Sequence, residues 1–106
     1  MFFELRRYKI RPGQMDAWIR VFEDEILPFQ TEKGMTILGS FQGEDDPETW
    51  VWIRRFESEA ERERLYKEVY ESDHWKNVIA PKIPDLMDRT GINVTRLTAT
   101  PRSVIQ

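Results

Sequence analysis

The residues from Thr49 to Phe56 alternate without a break, with Val51 and Ile53 on one side and Trp50, Trp52, Arg54 and Phe56 on the other. A period of two is the signature of a β-strand, whose successive side chains point to opposite faces. Both sides of this strand carry large side chains, so neither can be left open to water. One must be roofed by the chain's own helices and the other by something else. Phe2 to Ile10 repeats the pattern, with Phe3 and Leu5 one way and Phe2, Glu4, Arg6 and Tyr8 the other.

Between these strands, Pro12 and Gly13 break the alternation. Met15, Trp18, Ile19, Phe22 and Ile26 then follow at helical spacing as one apolar stripe. Pro28 clashes with the carbonyl four residues back, which predicts a kink or restart before Gly34 closes the helix. Met35 to Gln42 is a second strand, joined by the polar turn at 43–47 to the third in a hairpin. Ser58 and Glu61 have capping-box spacing and open a helix through Leu65, Tyr66, Val69 and Tyr70. A further turn bears His74, Trp75, Val78 and Ile79; Pro81 and Pro84 interrupt; and Ile92 to Thr98 is the last strand. The order β-α-β-β-α-β implies an α+β, ferredoxin-like domain, a four-stranded antiparallel sheet with helices on one face. The domain is expected over 1–100, with 101–106 as a tail.

Composition removes several functions. There is no Cys, hence no disulfide, thiol nucleophile or thiolate metal site, and a single His leaves no transition-metal ligand set. Sixteen basic residues against 19 acidic, interleaved, give a net charge of −3, which lacks the concentrated positive surface nucleic acid requires. No apolar run approaches a membrane span, and no secretory signal or cofactor-binding motif is present, so cytoplasm is the expected location.

Two helices cover one sheet face only. The aliphatic set Phe3, Leu5, Val51 and Ile53 suits packing beneath them, which leaves Phe2, Glu4, Arg6, Tyr8, Trp50, Trp52, Arg54 and Phe56 as the face that meets a partner. Self-association through that face is expected, with Glu4 and the arginines either paired across a dimer or lining an enclosed pocket. In the pocket, Arg6 and Arg54 would neutralise an anionic group and Trp50 and Trp52 would stack on an apolar body. Glu4, Tyr8 and His74 are the candidate catalytic groups, as the side chains able to exchange a proton. Tyr66, Tyr70 and Arg62 read as packing along the second helix.

Glu4-Leu5-Arg6-x-Tyr8, Pro12-Gly13, Pro28, Gly39, the Trp52 strand, Arg62 and Asp73-x-Trp75 together resemble the NIPSNAP family in order and spacing, from about Phe3 to Thr98. The chain departs from the pattern at Glu48-Thr49 and at Phe56. The resemblance implies a dimeric α/β barrel, two ferredoxin-like subunits facing their sheets together, and a place near the antibiotic-biosynthesis monooxygenases. The functional expectation is a homodimer that binds a small, partly aromatic or anionic molecule between the two sheets, as a cofactor-independent oxygenase or isomerase. The alternative is a non-enzymatic interaction module.

Overall fold

A computed structural model describes residues 1–106. β1 (Phe2–Ile10) leads into α1 (Met15–Val21), a π-helical turn at Phe22–Ile26 and α2 (Leu27–Lys33). β2 (Thr36–Gln42) and β3 (Thr49–Phe56) follow, then α3 (Glu59–Tyr70), a second π-helical turn at Trp75–Ile79, a short 3-10 turn at Ala80–Lys82, and β4 (Met87–Leu97). The strands form one antiparallel sheet in the order β2-β3-β1-β4, which is the ferredoxin-like arrangement. No helix is long and apolar enough to cross a membrane.

The break expected at Pro28 is the first π turn. Widening the helix just before the proline draws back the carbonyl its ring would strike, and α2 restarts with Pro28 in its first turn, where a missing N–H costs nothing. Gly34 ends α2 at φ 108°, a left-handed conformation that a Cβ would oppose. Ser58 opens α3 as expected, its side chain accepting the Glu61 N–H.

β4 begins earlier than Ile92. Its register against β1 shifts between Arg7 and Lys9, so Asp88 pairs with Lys9 while Asn93 pairs with Arg7. Gly91 lies at this irregularity, where a Cβ would come within 2.7 Å of the Lys9 Cβ. Only glycine lets the two strands close there.

The two sheet faces are the reverse of the expectation. Trp50, Trp52, Arg54 and Phe56, with Phe2, Glu4 and Tyr8, lie under the helices, and Glu4 and Arg54 are 0% exposed. On the other face Leu5, Val51 and Ile53 are half-buried, and only Phe3 is buried. Bulk decides this: the gap between a sheet and its helices takes indoles more readily than it leaves them open. Charge does not oppose it, because the buried ions are paired within the subunit. Glu4 stands opposite Arg54 in the β1–β3 register, between Phe2–Phe56 and Arg6–Trp52. A larger apolar cluster around Trp18, Phe22, Trp50 and Trp52 lies on one side of that pair, and a smaller one with Phe56, Leu65 and Val69 on the other.

Candidate functional site

The Arg54 guanidinium is the hub of a buried polar network. It donates to Glu4 Oε1 at 2.9 Å, Tyr66 Oη at 2.7 Å, Tyr70 Oη at 2.8 Å and Gln30 Oε1 at 3.0 Å. Glu4 also accepts from Arg62 Nε at 2.7 Å and from the Tyr66 hydroxyl at 2.7 and 2.9 Å. The Glu4–Arg pairing expected across a dimer is thus made within one subunit, to α2 and α3. Burial alone would raise the Glu4 pKa, but the bonds from Arg62 and Tyr66 and the charge of Arg54 hold it below the ordinary carboxyl value. Burial and the bond to Glu4 push the Tyr66 hydroxyl up to about 12, against the pull of Arg54. The Arg54 guanidinium also lies over the Trp52 ring, 4.4 Å from its centroid.

Beside this network, between sheet and helices, is a cavity of about 410 Å³. Arg6 and Tyr8 enter it from β1, Trp52 from β3, Trp18 from α1 and Arg89 from β4; 12 of its 15 lining residues are hydrophobic. Both π turns contribute to the wall, the first through Phe22 and Ile26 and the second through Trp75. Such turns often mark functional places in helices. Arg6 Nε donates to Tyr8 Oη at 3.0 Å. Burial raises the Tyr8 pKa, with Arg6 offsetting part of the rise, so the hydroxyl keeps its proton through neutral pH.

Of the residues expected to form a site, the cavity gathers Arg6, Tyr8 and Trp52. Glu4 and Arg54 stand behind its wall, committed to one another. Trp50 is core, 4.6 Å from Phe22 and 5.3 Å from Trp18 between ring centroids. His74 is exposed, against Phe29 at 4.9 Å, and is not part of the lining. Trp18, Tyr66 and Tyr70 carried a readable signal, their helical spacing, but read as packing. Arg89 carried none, since it reaches the cavity through the irregular start of β4. No three His, Asp or Glu side chains converge to hold a metal ion.

The NIPSNAP family model matches residues 3–101. The chain belongs to the NIPSNAP family. No curated protein matches it. Among solved structures, Atu4242 of Agrobacterium tumefaciens, described as a NIPSNAP family protein with unknown function, is similar to this NIPSNAP chain over the full length of both, at 26% identity and a TM-score of 0.90. A second NIPSNAP family protein of that organism, Atu5224, matches 99% of the chain with 98% of its own, at 20% identity and a TM-score of 0.87. An antibiotic biosynthesis monooxygenase shares the fold at 17% identity and a TM-score of 0.69, over 95% of this chain and 100% of its own.

Proposed function

We propose that this NIPSNAP member is a homodimeric α/β-barrel protein that binds a small aromatic anion within each subunit, in the cavity under the helices rather than between the two sheets. What supports this is the cavity itself: apolar walls, two arginines and no carboxylate among its lining residues. Sites for small organic ligands have this size and this sparse placement of polar groups. Arg6 neutralises the anionic group, Tyr8 orients it by a hydrogen bond, and Trp52 lies along the apolar body. Arg54 and Glu4 are positioning residues, which hold Trp52 and Tyr66 in place. His74 takes no part. Of the two reaction classes the family resemblance implied, isomerisation by proton transfer calls for a protein base, and the lining offers neither carboxylate nor imidazole. Oxygenation of a bound, already ionised ligand by dioxygen makes no such demand.

Titration with 1-naphthoate tests the binding, read as quenching of the indole fluorescence. Saturable quenching is expected, weakened about tenfold or more in Arg6→Ala, as the loss of a charge-assisted hydrogen bond implies. Absence of saturation, or an Arg6→Ala affinity equal to the parent's, rejects the assignment.

A further inference from the structure

Arg6, Arg54 and Arg62 all reach Tyr66, but they are not alike in what neutralises them. Arg54 and Arg62 each pair with Glu4, at 2.9 and 2.7 Å. Arg6 pairs with no carboxylate. Its hydrogen bonds go to two neutral hydroxyls that also line the cavity: Nε donates to Tyr8 Oη at 3.0 Å and Nη1 to Tyr66 Oη at 3.4 Å. The Tyr66 oxygen can only accept from Arg6, because its one proton goes to Glu4. Arg6 is half-buried, and a guanidinium held partly out of water beside neutral groups keeps its charge available to an anion from outside.

The two tyrosines also fix how this guanidinium is turned. Tyr8 occupies Nε, on the side of the fork. Nη2 has no partner on the protein and is accessible, and the Nη1 contact at 3.4 Å is the longer and weaker of the two that Arg6 makes. What Arg6 offers is therefore the end of its fork, Nη1 with Nη2. Trp52 stands opposite Arg6 in the β1–β3 register, so an indole lies beside the group that Arg6 would hold. Arg89, the other arginine of the lining, is exposed and makes no ion pair, so it adds positive potential without a fixed geometry.

We infer that the anionic group of the ligand is a carboxylate, taken end-on by Nη1 and Nη2 of Arg6, so that the site selects aryl carboxylates over other aryl anions of equal charge. This rests on the aromatic-anion site proposed above and narrows its ligand class. The planar fork meets the two oxygens of a carboxylate with two parallel hydrogen bonds, where a lysine in its place would offer only a point charge. The carboxylate replaces the long bond to Tyr66. Tyr66 Oη still accepts from Arg54 at 2.7 Å, so the exchange leaves no buried group without a partner.

The test compares 1-naphthoate with 1-naphthalenesulfonate, which puts the same charge on a pyramidal head of weaker acceptor oxygens, and with neutral 1-naphthamide. Each is titrated by quenching of the indole fluorescence. The parent is expected to bind the naphthoate about tenfold tighter than the sulfonate, the scale of a charge-assisted hydrogen bond, and the amide most weakly. Arg6→Lys keeps the charge and loses the fork. It is expected to bring the naphthoate-to-sulfonate affinity ratio close to one, whereas Arg89→Lys is expected to keep the parent's ratio. A ratio taken within one protein is not moved by a loss of folded fraction, so a purely structural defect does not imitate this result. Equal affinities for the two anions in the parent overturn the carboxylate assignment and leave the aromatic-anion site standing. A parent ratio that survives Arg6→Lys, or is lost in Arg89→Lys, overturns it as well. If no probe saturates, the site and the assignment both fall.

Discussion

Arg54 and Glu4 are each fully buried, yet neither is isolated, and the cost of disturbing them follows from that. Removing one member of a buried pair leaves the other charged in a dry place, which costs about 3–5 kcal/mol, whereas replacing both by apolar groups of similar volume is often nearly neutral. Glu4→Gln is therefore expected to destabilise the fold by several kcal/mol in urea unfolding, and Glu4→Gln with Arg54→Met to recover most of the loss. A double variant no more stable than the single would show that Arg54 contributes mainly by stacking on Trp52. The two ends of the pH scale test the same network with opposite signs. Glu4 is held below the ordinary carboxyl value of 4.5, so its contribution is complete above that pH and disappears as pH falls through the lowered folded value. Tyr66 is pushed up to about 12 from an ordinary 10.0, so its contribution is complete below pH 10.0 and is lost as pH rises towards 12. Tyr66→Phe is expected to flatten the alkaline limb of a stability–pH curve; an unchanged limb would remove Tyr66 as its source.

Among the elements, α3 was the most legible, because Ser58 and Glu61 announce its start by chemistry rather than by hydrophobicity. Ser58 Oγ accepts the Glu61 N–H at 3.1 Å and Glu61 Oε1 accepts the Glu57 N–H at 3.1 Å. Ser58→Ala is expected to cost about 1 kcal/mol, with Ser58→Asp close to the parent, as measured by thermal unfolding. The strands Phe2–Ile10 and Thr49–Phe56 came next, since a period of two marks a strand. What alternation cannot say is which side is roofed. That information lay on another element: Arg62, Tyr66 and Tyr70, spaced by four on α3, carry the polar tips that complement Glu4 and Arg54. Read with the strands, they place the charged face inward; read alone, they look like helix-edge packing. The start of β4 was hidden for a different reason. Its pairing with Lys9 and Ile10 depends on an irregularity around Gly91, and it is preceded by Pro81 and Pro84, so no periodic signal spans Met87 to Arg89.

At the scale of the whole molecule, the reversed sheet separates two properties that the sequence had joined, association and ligand binding. The exposed side of the sheet carries Leu5, Val51 and Ile53 on its two central strands and Phe41, 57% exposed, opposite Val51 on an edge strand. An apolar strip of this kind, centred on one face, suits a two-fold contact in which each subunit presents the same patch. The cavity lies on the opposite side, between the sheet and its own helices. Ile53→Lys places a charge at the middle of the strip and, under two-fold symmetry, brings two such charges near each other. It is expected to sediment as a single copy while keeping the circular dichroism of the parent. Under the proposed site within each subunit, the same variant is also expected to bind 1-naphthoate with the parent's affinity. A ligand held between two sheets would instead be lost together with the dimer. Sedimentation and titration of this one variant therefore test the proposed dimer and the proposed site within each subunit separately.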